Sequence, residues 1–543
     1  MAHPSGWWCS WFALSARQGV VRGVYDYPRQ GADRELKKAV EGYWKGRITA
    51  GTLRRTAAGL RRANWRRLAE AGLGEVPTGD FSYDDHVLDT SVMVGAIPAR
   101  HRAAVERDAL DGYFAMARGT QEVAPLEMTK WFDTNYHYLV PELGPDTVFA
   151  ADSARRVAEL TEALMLGHNA RPVLVANLDD LATVGGLPGK RLVGGVVDGR
   201  NIWINDYENP LATLATLLGL AGQVDVSASC SLLHVPLDTA PEGDIDPQIL
   251  RWLSLARQKT AEIVTLARGL TRGTDTIAAE IAANRAALAA RANSPITRDP
   301  AVGARTAAVT AADAHRSRPY EERAAAQRAR LGLPPLPTTT IGSFPQTPDL
   351  RAARADLRTG RTGTAGYEQR IETAIAEMIA FQEHAGLDVL VHGEPERSDT
   401  VQYFAERLTG YLATRHGWVQ SYGTRYVRPP ILAGDTARQV ALALRDEVIS
   451  LEAARSRMQA AGELATAGYP RAAGPGVYDI HSPRVPTTDE IADLLRKGLT
   501  AIPADRLWVN PDCGLKTRDW PETRASPENL VTAARTVRAE PPA

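Results

Sequence analysis

Three short apolar runs in the last third of the chain each stop on a residue type that can do chemistry. Residues 387–391 run into His392 and Glu394, 476–480 into His481, and 507–509 into Cys513. An imidazole moves protons near neutral pH, a thiolate attacks carbon or binds a soft metal, and a carboxylate pairs with a cation or takes a proton. In a barrel of eight parallel strands such groups stand on loops just past the C-terminal strand ends, where they face one substrate.

The elements that would position them alternate. After a basic helix over 320–331, closed by Gly332, Pro334, Pro335 and Pro337, the chain restarts at 338–345 as a strand running into a glycine turn. Helices are expected over 367–385, 436–462 and 488–499, between the apolar runs, which argues for a parallel sheet. Upstream, 33–71 reads as helix, 79–138 as functional loops between short helices, and 247–314 as almost entirely helical. Strands are expected at 173–175, 192–197, 202–204 and 227–233. Residues 338–543 number roughly 200, the lower limit for one barrel. Between 434 and 474 the pattern offers helix and no strand.

At 543 residues the chain exceeds one domain, and 44% hydrophobic with 23% charged residues is soluble globular composition. A net charge of -1 provides no field for nucleic acid or an anionic membrane. Cys9, Cys230 and Cys513, odd in number and far apart, make no disulfide framework. No apolar stretch approaches the ~20 residues of a membrane span. Residues 7–16 resemble a signal core without the preceding basic residues. The expectation is a cytoplasmic monomer with an atypical extension over 1–23.

Longer motifs carry a family likeness. RELKKA (34–39), EMTKWFDTNYHY (127–138), TTTIGSFPQT (338–347), LDVLVHGEPER (387–397), WVQSYGTRYVRPP (418–430), GPGVYDIHSPRVP (474–486) and LWVNPDCGLKTR (507–518) occur in this order. Together they resemble the cobalamin-independent methionine synthases, which move a methyl group from 5-methyltetrahydropteroyltriglutamate to homocysteine. The likeness implies an α/β fold of two (β/α)8 barrels face to face, one or both incomplete here. It also implies an N-terminal unit over 24–330, a linker over 331–337 and a catalytic unit over 338–543.

The likeness further implies roles. Homocysteine attacks as thiolate, and Zn2+ held by His, Cys and Glu ionises the thiol; Cys513 matches one such ligand. His481 would protonate the tetrahydrofolate leaving nitrogen. Ile341, Gly342 and Ser343 would hold the homocysteine carboxylate, and Glu394 its ammonium. Arg425 and Tyr426 would meet the pterin, and Arg34, Lys37 and Lys130 the triglutamate tail. His86 and His137 read as structural. The family's His-x-Cys pair, its Glu ligand, its acidic DEP motif and its pterin-stacking tryptophan belong between the RPP and YDIH stretches. None is found there, and a second shortening falls near 175–179. Two readings follow: a zinc-dependent methyltransferase, or a remnant that binds folate or homocysteine without turnover, including an incomplete coding sequence. A barrel using another methyl donor is disfavoured by the retained cations.

Overall fold

The structure, a computed structural model, describes residues 24–540 apart from 25, 133, 145–146, 151, 153, 172–186, 315, 317, 409 and 435–447. In the C-terminal half, parallel pairing links five segments side by side. The Val448–Leu451 strand pairs with Ala472–Pro475. Parallel bridges then join Ala473 to Leu507, Gly476 to Asn510, Thr338 to Val509, and Ser343 to Gly393. Helices Gln459–Thr466, Thr488–Leu499 and Trp520–Arg538 follow successive segments, and Pro348–Arg358 and Thr364–Ala385 lie between the bridges at 343 and 393. This is strand-then-helix order, with every C-terminal strand end on one side.

Glycine explains the close approach of two segments. A Cβ on Gly474 would stand 1.8 Å from Asn510 Oδ1, and one on Gly476 2.0 Å from Asp512 Oδ1. The regular strand therefore occupies Ala472–Pro475, earlier than the expected 476–480, and the YDIH residues lie beyond its end. The expected strand at 387–391 is not regular: residues 388–389 bend, and Asp388 N and Val389 N both donate to Thr338 O.

One expectation is overturned. Residues 436–462 were expected as helix, and the described part opens instead with the Val448–Leu451 strand, helix beginning only at Gln459. Leu and Ala favour helix locally, but β-branched Val448 and Ile449 pack against a waiting parallel partner, and tertiary pairing outweighs propensity. Residues 435–447 lie outside the described set.

The N-terminal half has less sheet. Leu187–Val197 pairs in parallel with Ala221–Ala228, with Glu208–Leu218 between them and Ala256–Arg272 packed on the pair. The expected strand at 227–233 thus ends at Ala228 and turns into a 3-10 turn, Leu232–His234. Of 202–204 only Trp203 bridges, to Leu253, and 173–175 and 1–23 lie outside the described residues. The helix expected over 33–71 is two, Glu35–Trp44 and Ala50–Glu70, split where Gly46 takes φ +65° and Thr49 caps the second. Among the described residues no barrel closes. Val148, Phe149, Val157, Leu164 and Met165 are exposed. No described helix is long and apolar enough to cross a membrane.

The two halves interlock around the Val419–Tyr422/Arg425–Val427 hairpin. Gln30 Nε2 donates to Trp418 O at 3.0 Å, and Gln420 Nε2 to Asp84 O at 3.3 Å. The buried Glu242 carboxylate accepts from Arg415 N and His416 N at 2.6 and 2.7 Å. Asp84 lies against Gly423, where a Cβ would meet Asp84 Oδ2 at 2.8 Å. Burial pushes the Asp84 carboxyl up to about 7, with Asp85 adding and Arg29 opposing.

The unfolded chain releases that proton near pH ~3.9. Between about pH 4 and 7 the folded state keeps a proton the unfolded state has lost, so stability falls as pH rises through this window. Asp84→Asn should therefore gain on the wild type across the window, by the order of a few kcal/mol, and then level off. Thermal melts of both proteins from pH 4.5 to 8.5 measure this; parallel curves would refute it.

Candidate functional site

The C-terminal ends of the parallel segments bring the expected groups to one face. His481 follows Ala472–Pro475, Cys513 follows the bridge at Asn510, and Gly342, Ser343 and Glu394 follow the bridges of the first two segments. Opposite stands the N-terminal hairpin Met128–Lys130/His137–Leu139. A cavity of ≈ 250 Å³ lies between, lined by Lys130 and His137 from one half and Glu452, Arg455, Asp479 and His481 from the other.

Asp479 Oδ1 stands 2.8 Å from His481 Nδ1 and accepts the His481 backbone N–H at 2.9 Å. Burial pushes the Asp479 carboxyl up, but the Arg455 guanidinium and the bonds from His481 outweigh it and hold it well below the usual carboxylate range. The edge of the Tyr422 ring meets His481 at 4.8 Å between centroids. Arg425 Nη1 donates to Tyr422 Oη at 3.4 Å, which places Arg425 beside the same cavity.

Tyr426, next in the strand, faces the other way. It is 8% exposed, and its neighbours are Arg29 and Asp84 of the N-terminal half. The phenol anticipated at the pterin thus packs into the interface, and only Arg425 of that pair reaches the cavity side.

Around Ser343 three glycines keep side chains out. Gly342 at φ +53° would bring a Cβ 2.8 Å from Glu394 Oε1, Gly393 at φ +87° would meet Met378, and Gly514 would meet Ser343 Oγ at 2.5 Å. Glu394 itself adopts φ 52°, a strained conformation of the kind stored at binding sites. Its carboxylate takes Arg397 Nη1 at 3.0 Å. Ile341, Gly342, Ser343 and Glu394 therefore form one small cradle beside Cys513.

The three cations assigned to a tail do not share a pocket. Arg34 stacks on Trp418 at 4.1 Å in a separate cleft of ≈ 960 Å³, and its φ of 59° is again left-handed. Lys37 Nζ is engaged by Glu41 at 2.7 Å and Thr424 O at 2.9 Å. Lys130 alone lines the smaller cavity. His137 lines it too, edge-on to Tyr422 at 6.0 Å, whereas His86 belongs to a network with Asp26 and Arg29 away from it.

Glu452 and Lys516 were missed. Glu452 directly follows the strand that the sequence pattern hid, so its signal was lost with that strand. Lys516 is pushed down to about 8 by burial, Arg425 and Arg354 adding to this while Asp399 and Glu394 oppose it. Its signal was proximity to Cys513 in GLK. Cys513 is exposed at the rim, yet its partial desolvation, with the Glu452 carboxylate adding, pushes the thiol up.

The donors do not fit a zinc centre. Among the described residues no three His, Cys, Asp or Glu side chains group to hold a metal. No His or Cys occurs between His416 and His481, and His481 Nδ1 already faces Asp479. Cys513 and Glu452 fall short of the three protein ligands of a catalytic zinc site.

Comparison with known proteins matches this chain to the N-terminal domain of cobalamin-independent synthase over residues 22–178 and to its catalytic domain over 336–448 and 441–536. It is 54% identical to a Streptomyces avermitilis protein named 5-methyltetrahydropteroyltriglutamate-homocysteine methyltransferase, covering 97% of this chain and 99% of the relative. Proteins of that name from Streptomyces coelicolor and Mycobacterium bovis are 53% and 39% identical, over 97% and 96% of this chain and 99% of each relative. The first alignment runs over 766 positions yet takes in 97% of a chain of only 543 residues and 99% of the relative, so the shortfall is internal. The first family match ends at 178, and the second is split near 441–448. End-to-end identity at this level, together with the site just described, makes the chain a member of the cobalamin-independent methionine synthase family.

Proposed function

We propose that this chain transfers the methyl group of 5-methyltetrahydropteroyltriglutamate to homocysteine, with His481 as the proton donor. The observation that carries the reading is the Asp479–His481 pair in a cavity walled by both halves, beside Arg425 and the Gly342–Ser343–Glu394 cradle. The homocysteine sulfur, as thiolate, forms a bond to the methyl carbon while the bond from that carbon to the tetrahydrofolate nitrogen breaks. The nitrogen takes the proton from Nε2 of His481 in its doubly protonated form, while Nδ1 keeps its own hydrogen toward Asp479. Glu394 would pair with the amino-acid ammonium and Arg425 with the pterin edge, while Lys130 and Arg34 attract the tail carboxylates from two positions along the junction. The architecture in this reading is two face-to-face barrels, each shortened, the catalytic one beginning at 338 after the linker 331–337, and the protein acts as a cytoplasmic monomer. Zn2+ belongs to the family's chemistry, but the donors here do not hold it, and no step is assigned to it.

Methionine formation from the two substrates, without cobalamin, tests the proposal; absence of turnover by a folded chain overturns it. The incomplete donor set favours a second reading, substrate binding without turnover. In that case triglutamylated folate still binds, and binding weakens as salt rises because fixed cations meet several carboxylates.

A further inference from the structure

We propose that Asp479 is the positioning residue for His481, and that Arg455 ties this pair to the N-terminal half of the chain. The inference rests on the reading of His481 as the proton donor. All three side chains are withdrawn from solvent: His481 is 8% exposed, and Asp479 and Arg455 12% each.

A carboxylate only accepts hydrogen bonds. The 2.8 Å contact therefore requires hydrogen on His481 Nδ1 and leaves Nε2 as the nitrogen that serves the cavity. The second Asp479 oxygen, Oδ2, accepts from Arg455 Nη2 at 2.9 Å. Arg455 Nη1 in turn donates to Leu126 O at 2.6 Å. Leu126 lies two residues before the Met128–Lys130 strand, whose Lys130 forms the opposite wall. Arg518 Nη1 holds the Asp479 carbonyl at 3.1 Å, so the loop carrying both residues is fixed from below. The planar guanidinium thus reads two things at once, the orientation of the Asp479 carboxylate and the place of the facing hairpin.

Asp479→Asn separates this role from simple packing. Arg455 donates only and is charged, so the new amide turns its oxygen toward Arg455 and its NH2 toward Nδ1, giving up the bond from the His481 backbone N–H. Nδ1 must then be bare, and the hydrogen moves to Nε2. The experiment uses the full chain labelled with 15N-histidine, the His481 signals being identified by their loss in His481→Asn. Hydrogen on Nδ1 in the wild type and on Nε2 in Asp479→Asn is expected, with kcat for methionine formation down about 10²-fold and KM little changed. A wild-type Nδ1 without hydrogen overturns the proposal even where Asp479→Asn does not fold, whether or not Nε2 carries one, and so does an unmoved hydrogen in a folded Asp479→Asn.

Arg455→Lys, which keeps the charge but cannot span both acceptors, should speed hydrogen exchange at 126–130 and 479–481 together; unchanged exchange at both removes the tether. If the wild type makes no methionine, the methyltransferase reading fails alone, while the nitrogen signals and exchange rates still decide this one.

Discussion

His481→Asn is expected to lower methionine formation by about 10² to 10⁴-fold while leaving homocysteine binding nearly unchanged. The tetrahydrofolate nitrogen leaves poorly as an anion, so a proton must reach it as its bond to the methyl carbon breaks. Among the side chains lining the cavity, His481 is the one whose ring is oriented by a carboxylate, edge-packed on an aromatic ring and aimed from a strand end. His137 shares the wall, but its Nδ1 lies 3.0 Å from the Asn135 carbonyl, and burial lowers its affinity for a proton. Removing His481 should therefore act on kcat, because the cradle proposed for homocysteine, Gly342, Ser343 and Glu394, is built from other segments. The measurement is steady-state turnover together with calorimetric homocysteine binding. A fall in binding that matches the fall in rate would assign His481 to substrate recognition. Equal inactivity of wild type and variant would favour the binding-only reading.

Much of this site was legible because strand ends announce themselves in sequence. Apolar runs stopping near His481 and Cys513 led to the face where the structure places both, and the long motifs implied roles that spacing alone could not. The strand at Val448–Leu451 was hidden by its flanks, where Ala, Leu and Arg promote helix; only its partner, Ala472–Pro475, selects the extended form. Glu452 vanished with it. Arg425 and Tyr426 were read together, but adjacent strand residues face opposite sides, and Tyr426 packs by Arg29 and Asp84 while Arg425 lies by Tyr422. The scattering of Arg34, Lys37 and Lys130 depends on how the two halves dock, through contacts such as Lys37 to Thr424 O, which no local pattern encodes.

Metal analysis after dialysis is expected to find well under one zinc per chain, and Cys513→Ser should change that value little. Catalytic zinc sites hold the ion through about three protein ligands acting together, so affinity collapses when the set is incomplete. Here the Cys513 thiol is pushed up rather than down by burial, with the Glu452 carboxylate adding, and His481 presents Nδ1 to Asp479. Recruiting His481 would break the bond that fixes the proton donor, so metal binding and proton donation compete for one ring. The consequence reaches the chemistry: a homocysteine thiol of pKa ~8.5 is only about 3% ionised at neutral pH without a metal. Turnover should therefore be insensitive to added zinc or to a chelator, and limited by thiolate supply. One tightly held zinc per chain, lost in Cys513→Ser together with activity, would show that the chain completes a metal site from donors outside this set.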